Sequence, residues 1–465
     1  MEREWIVEIE KPAFEGKGLG RIDGRIIFVP RAVPGDRLRV RPVKIKSQYA
    51  EAVTLEVLRS SPDRVEAPCR HFGLCGGCSW QHVRYEAQLA YKRELVRELF
   101  VYLGNLDGLP EVRPVIGADP IFGYRNKLEF SFSPRRWLSA EEIATGEPLD
   151  KGFALGFHLP GRYDRVLHLE RCWLAPELGN RLLAAIGQYV RTQGWSVYDP
   201  HRQRGYLRHL VLRFGVRTHQ VLVNLVTHTD EPERMQALSG WLQETFPEVS
   251  TFVNNITSRP AQVAVGEQER VYLGPGYIEE QLGPFRFRIA ANTFFQPNTH
   301  QAERLYEVVR ELAELRPTDR LFDLYCGAGT IGIYLSPWVR EVVGIEQVPV
   351  AVENARQNAL LNGVRNATFY CGDVRQMPWP ELMAAHGAPD VVVLDPPRSG
   401  LHPDVVRLLL ELGPERIVYV SCNPATQARD LKGLITRYRI EAIQPVDLFP
   451  HTYHIETVVR LTRQP

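Results

Sequence analysis

The chain has 465 residues, is 44% hydrophobic and 24% charged, and carries a formal net charge of +1. That length calls for two or three domains, the composition excludes a disordered majority, and the charge excludes a uniformly basic nucleic-acid coat. No apolar run reaches the roughly 18 residues of a membrane span, MEREWIVEIEK lacks the apolar core of a signal peptide, and seven sparse cysteines suit a reducing cytoplasm, so a cytoplasmic monomer without membrane contact is expected.

Residues 1–60 alternate apolar and polar positions, as in Trp5-Ile6-Val7-Glu8-Ile9 and Arg25-Ile26-Ile27-Phe28-Val29. Glycines and Pro34-Gly35 punctuate them at short intervals, which predicts a small β-barrel of the OB-like kind. Between Arg31 and Lys46 the cations Arg31, Arg37, Arg39, Arg41, Lys44 and Lys46 face only Asp36, a local excess of five charges suited to a phosphate backbone. Pattern and position resemble the TRAM domain, an RNA-binding barrel at the front of several RNA-modifying enzymes.

Ser60-Ser61-Pro62 marks the exit from the barrel, and residues 61–289 read as a central α+β domain. It opens with CRHFGLCGGC, in which Cys69, Cys75 and Cys78 are spaced CX5CX2C, and Cys172 follows far downstream. Such a thiol set calls for a metal, and spacing alone leaves tetrahedral zinc and an iron–sulfur cluster both open. Tyr85–Leu103 predicts an amphipathic helix ending near Gly104. Strand-like runs (Lys127–Phe132, Leu210–Phe214, Val221–Val226) then alternate with helical ones (175–193 and 233–246).

From residue 290 to 465 strands and helices alternate regularly, which predicts an α/β doubly wound parallel sheet. Leu321–Leu324 is a buried strand, and Cys326–Gly329 a glycine turn that lets backbone approach a ligand. Glu346, Asp373 and Asp395 then fall at successive strand ends, the first placed for ribose hydroxyls and the second near an adenine amino group. Cys422 ends the strand Ile417–Val420, just before a helix N-terminus that favours a thiolate. Glu456 opens the last strand, expected at the sheet edge, where an acid is ordinarily solvated. Cys326 and Cys371 read as structural.

A thiol beside a methyl-donor site fits one chemistry. Carbon 5 of a pyrimidine is too weak a nucleophile to take a methyl group until a thiolate adds at carbon 6. A carboxylate can then remove the carbon 5 proton. The runs FFQPN (Phe294–Asn298), DLYCGAGTIG (Asp323–Gly332), DPPRSG (Asp395–Gly400), SCNPATQARDL (Ser421–Leu431) and HTYHIETVVRL (His451–Leu461) together resemble the RNA uracil-C5-methyltransferase family, with DLYCGAGTIG similar to the S-adenosylmethionine (SAM) loop of methyltransferases.

That resemblance implies Cys422 as nucleophile, Glu456 as base, and Gln296, Tyr325, Thr330, Glu346, Asp373 and Asp395 as the SAM-contacting set. Thr330 departs from the asparagine some members carry. Similarity to the ribosomal-RNA members, which share the CX5CX2C spacing and a distant fourth cysteine, implies a [4Fe-4S] cluster on Cys69, Cys75, Cys78 and Cys172. Front barrel and cysteines together resemble the 23S ribosomal-RNA branch, so ribosomal RNA is the expected partner, its target base flipped out and stacked on an aromatic such as Phe294. Rival readings are a transfer-RNA uridine or RNA cytosine C5-methyltransferase, a purine amino-methyltransferase, and a non-catalytic RNA-binding assembly factor.

Overall fold

The computed structural model describes residues 4–106, 108–146, 151–261 and 263–465; the first three residues of the expected barrel span lie outside them. Strands β1 (Trp5–Pro12), β2 (Gly18–Ile22), β3 (Arg25–Val29), β4 (Arg37–Ile45) and β5 (Tyr49–Arg59) close into a barrel in the order β1-β2-β3-β5-β4. Period-2 alternation sends Val7, Ile9, Ile27, Val29, Leu38 and Val40 inward and leaves Arg37, Arg39 and Arg41 outside. The basic face is less bare than its linear count. β5 lies antiparallel to β4, so Glu56 meets Arg39 at 3.0 Å and Glu51 meets Lys44 at 3.3 Å.

Helix α1 (Tyr85–Glu98) continues as one wider π turn, Leu99–Leu103, and stops at Gly104. It runs between the barrel and the C-terminal layer. Lys11 of β1 forms an ion pair with Glu98 at one end. Farther back, the fully buried Lys92 donates to Asp447 Oδ1 at 2.7 Å and to the Phe449 carbonyl at 3.1 Å.

Strands β6 (Lys127–Ser133), β7 (Arg136–Trp137), β8 (Ala154–Leu159), β9 (Arg162–His168), β10 (Leu207–Phe214), β11 (Val221–Thr227), β12 (Val249–Ile256) and β13 (Gln268–Leu273) form an eight-stranded mixed sheet in the order β13-β12-β11-β10-β6-β8-β9-β7. The short helix α2 (Ala140–Ala144) follows β7. Helices α3 (Glu177–Thr192) and α4 (Pro232–Thr245) cover the apolar face of the sheet, where Leu182, Ile186 and Met235 meet Leu210, Leu212 and Val223.

The hairpin β14 (Tyr277–Leu282) and β15 (Phe285–Ala290) adds Ile278, Phe287 and Ile289 to the core of the C-terminal layer. Helix α5 (Thr299–Ala313) follows. Then β16 (Arg320–Leu324), β17 (Glu341–Glu346), β18 (Ala367–Cys371), β19 (Val391–Leu394), β20 (Arg416–Ser421), β21 (Tyr438–Val446) and β22 (Glu456–Arg463) build a sheet ordered β18-β17-β16-β19-β20-β22-β21. Helices α6 (Thr330–Leu335), α7 (Pro349–Leu361), α8 (Trp379–His386), α9 (Pro403–Leu412) and α10 (Pro424–Leu434) connect the strands.

The five parallel strands β16 to β20 match the expected doubly wound sheet, whose order reverses between β16 and β19. One expectation fails. β22 inserts antiparallel between β20 and β21, so the last strand is interior and Glu456 is only 3% exposed. Among the described residues, no helix is long and apolar enough to cross a membrane.

Removing one member of a buried ion pair leaves the other desolvated and unpaired. Lys92→Ala should therefore lower stability by about 3–5 kcal/mol in urea unfolding. An unchanged midpoint would show that Tyr85 and the Phe449 amide alone satisfy Asp447.

Candidate active site

The cofactor turn follows β16. Tyr325 adopts φ +68°, and Gly327 and Gly329 adopt +54° and +75°, so three left-handed residues fold the chain back. A side chain is costly in that region, and the Tyr325 strain is held by its amide, which donates to the Ile345 carbonyl at 2.9 Å. A Cβ on Gly329 would also press on Ala355 and Phe369 at 3.0 Å. Glu346, at the end of β17, accepts from the Gly327 amide at 3.1 Å and the Val348 amide at 2.8 Å, which locks carboxylate and turn together. Asp373 lies after β18 and is engaged by the Arg375 guanidinium, which holds its carboxyl below the usual range. Thr330 Oγ1 shares a 2.9 Å hydrogen bond with the buried Tyr306 hydroxyl, and Gln296 is buried with its carbonyl taking Asn126 Nδ2 at 2.9 Å.

Deeper in, Asp323 and Asp395 are enclosed, and burial pushes both carboxyls up to about 7. Asp323 accepts from the Gly332 amide at 2.9 Å through Oδ2, while its buried Oδ1 has no hydrogen-bond partner.

Cys422 sits between β20 and α10, as the sequence predicts, with Asn423 capping the Ala425 amide at 3.2 Å. It is not a resting thiolate. Burial, then the Glu456 charge, push the thiol up to about 11, and the nearby helix end does not compensate. The charge of the nearby Arg398 opposes them. The same residue ties two motifs together, since its carbonyl accepts from Asn423 Nδ2 at 3.1 Å and Thr426 Oγ1 at 3.3 Å. Burial and the Asp395 charge drive the Glu456 carboxyl well above the carboxylate range. His451 and His454 are pushed down to about 4 by burial and neighbouring cations, so both are neutral at pH 7.

A small cavity of about 90 Å³ adjoins the sulfur, lined by Phe14, Leu95, Arg398, Tyr453 and His454 among others. Phe294 is 72% exposed and does not line it. Sequence reasoning missed Arg398, Tyr306 and Phe14 as members of this region. Arg398 was readable from its place three residues after Asp395; Phe14 and Tyr306 come from elsewhere in the fold and left no local signal.

The four other cysteines named above converge. Cys69, Cys75, Cys78 and Cys172 line one cavity of about 350 Å³, and all are free thiols. Cys75 Sγ accepts from the Gly77 amide at 3.3 Å and Cys78 Sγ from Gln81 Nε2 at 3.2 Å. Among the described residues no group of three His, Cys, Asp or Glu is placed to hold a metal ion. Four thiols lining one cavity are a soft donor set of the kind that suits tetrahedral zinc or an iron–sulfur cluster.

The chain matches the family model for tRNA (uracil-5-)-methyltransferase over residues 212–372 and 384–464, and that for the TRAM domain over residues 3–55. It is 46% identical to an uncharacterized RNA methyltransferase of Chlorobaculum tepidum over 92% of this chain and 90% of that one. An uncharacterized RNA methyltransferase of Bacteroides thetaiotaomicron is 40% identical over 97% and 99%. Among solved structures, the tRNA (uracil-54, C5)-methyltransferase of Pyrococcus abyssi, in complex with S-adenosyl-L-homocysteine, aligns with a TM-score of 0.75 at 29% identity, covering 98% of this chain and 100% of the other.

Because the thiolate is the reactive form, alkylation of Cys422 by iodoacetamide should be slow at pH 7 in the free protein and keep rising toward pH 11. Peptide mass spectrometry across that range would measure it. A rate already flat by pH 8 would contradict the burial of this thiol.

Proposed function

Because the chain belongs to the tRNA (uracil-5-)-methyltransferase family, we propose that it transfers the methyl group of SAM to carbon 5 of a uridine in 23S ribosomal RNA, with Cys422 as nucleophile and Glu456 as base. The observation that carries the mechanism is placement: β20 lies between β19 and β22 with Ser421 paired to Thr457, which brings Cys422, Asp395 and Glu456 to the same end of three adjoining strands. SAM, when bound, supplies an electrophilic methyl group. Gln296, Tyr325, Thr330, Glu346, Asp373 and Asp395 would hold it along the strand ends.

Arg398 favours the thiolate through its positive charge. Cys422 Sγ then bonds to carbon 6 of the uracil, and the charge it brings moves through the ring to make carbon 5 nucleophilic. That bond also discharges Cys422. Thiolate and carboxylate repel each other in this pocket, so addition lowers the cost of ionising Glu456. A carboxylate with raised proton affinity is suited to take the carbon 5 proton, after which the ring expels the Cys422 thiolate. The two histidines of the segment, neutral and pushed down to about 4, are weaker bases.

Cys69, Cys75, Cys78 and Cys172 would hold a [4Fe-4S] cluster. Its role is structural: the loop just after Cys78 packs Trp80 against α1, where Gln88 Nε2 donates to the Trp80 carbonyl at 3.0 Å. Ribosomal RNA is favoured by the barrel and cysteine cavity together. A second reading, transfer RNA, is favoured by the likeness to the Pyrococcus protein, which extends over 98% of this chain and so includes the front barrel. Mapping 5-methyluridine in ribosomal and transfer RNA from a strain lacking the gene decides between them.

Cys422→Ala should abolish methylation while SAM binding persists. Glu456→Gln should instead accumulate a methylated covalent protein–RNA adduct, stable on a denaturing gel and dependent on Cys422. RNA carrying 5-fluorouridine should trap the unmodified enzyme the same way. Normal turnover by Glu456→Gln, or no adduct with 5-fluorouridine, would refute these roles.

Protein purified without oxygen should be brown and carry about four irons per chain. Stoichiometric zinc in a colourless protein would overturn the cluster and leave the methyltransferase reading intact.

A further inference from the structure

The front barrel does more than approach the catalytic layer. Phe14, in the turn between β1 and β2, lines the cavity beside Cys422 together with Arg398, Tyr453 and His454. Its ring is outside the barrel core and 49% exposed.

The turn that carries it is built rather than loose. Glu15 and Gly16 both adopt left-handed backbone, at φ +61° and +74°. The Ala13 amide donates to the Lys17 carbonyl at 2.7 Å across the turn. The buried indole of Trp80 donates to the Gly16 carbonyl at 3.1 Å, and the Lys11–Glu98 ion pair holds the adjoining strand to α1. Phe14 is thereby set 6.2 Å from Tyr453, whose ring lies 4.2 Å from that of His454. The aromatic series ends at the nucleophile.

Resting on the reading of Cys422 as a pyrimidine nucleophile, we propose that Phe14 is a stacking platform for the nucleobase adjoining the target uridine. The target ring has to lie between the Cys422 sulfur and the methyl donor, because carbon 6 meets the one and carbon 5 the other. The residues expected to hold the cofactor, Gln296, Tyr325, Glu346 and Asp373, do not line the Phe14 cavity, whereas Cys422 does, so the cavity borders the sulfur without being part of the expected cofactor lining. The base it takes is the neighbour. An aromatic face suits that task, since every base has a π face and a stack tolerates any sequence. The barrel thus becomes part of the active site as well as a phosphate-tracking surface.

The test uses the full chain, loaded as isolated, and an oligoribonucleotide of the mapped target sequence with 5-fluorouridine at the target and 2-aminopurine beside it. Aminopurine fluorescence should be quenched on binding to the natural protein and to Phe14→Trp. Phe14→Ala should lose the quench and bind on the order of ten-fold more weakly, with SAM affinity unchanged as the control for folding. Quenching and affinity in Phe14→Ala equal to the natural protein, or equal losses in Phe14→Ala and Phe14→Trp, would overturn the proposal. Adduct formation by the natural protein is scored separately: its absence would refute the thiol chemistry, whereas a quench lost in Phe14→Ala and kept in Phe14→Trp, with the adduct still formed by the natural protein, supports the platform.

Discussion

The segment Asp447–His454, which delivers Glu456 to the sheet, is held by every part of the molecule, and the buried Lys92–Asp447 pair is its anchor. Asp447 also takes the Tyr85 hydroxyl at 2.9 Å and the Phe449 amide at 3.0 Å, so its charge is fully engaged. The Leu448 carbonyl accepts from Asn298 Nδ2 at 3.2 Å and the Pro450 carbonyl from the Tyr124 hydroxyl at 3.2 Å. A buried pair of this kind gains little net stability, because desolvation offsets the attraction. What it supplies here is placement: a lysine from α1 and an aspartate just after β21 can neutralise each other in only one arrangement of helix and sheet. It fixes the start of the loop before β22 against α1, and so helps to place the carboxyl that follows.

The electrostatics of the site are one-sided. Asp323, Asp395, Glu346 and Glu456 influence one another, and burial raises three of them, while Arg398 is the cation that acts on both Glu456 and Cys422. An excess of buried acids costs stability in the empty protein and is tolerated where a ligand brings the missing positive charge. The sulfonium of SAM is such a charge, and its loss on methyl transfer removes that attraction. The same field that admits the donor therefore helps release the spent product.

The parts legible in the sequence are those set by local periodicity and by strand ends. Alternation located the barrel, apolar runs the parallel strands, and Cys422 fell where a residue after β20 must fall. The parts that were not legible depend on pairing between distant segments. Nothing in Thr457–Leu461 indicates that this strand inserts beside β20, yet that insertion buries Glu456 and raises the proton affinity of its carboxylate. The window around Arg37–Lys46 does not contain Glu51 and Glu56, which neutralise part of it across β5. Asn423 and the start of α10 pointed to a stabilised thiolate, but the enclosure of the sulfur among acids outweighs one helix end.

The cysteine loop shows how the distant units act as one. Ser79 and Trp80, the two residues after Cys78, donate their amides to the His451 carbonyl at 3.0 and 2.9 Å. Trp80 also reaches the barrel turn through its indole, and Ser79 Oγ accepts the Tyr453 amide at 3.1 Å. On the other side of the cavity Trp173 follows Cys172 and contacts Phe122, which stacks on His451 at 4.1 Å. Both flanks of the four-thiol cavity therefore end on the same catalytic-loop residue. The proposed methyl transfer by thiol addition moves no net electrons, so that reaction would not ask the cavity for redox work. It asks for a fixed distance between a barrel, a helix and a loop, and four thiolates on one rigid group would set that distance in a stretch of chain otherwise held by turns alone.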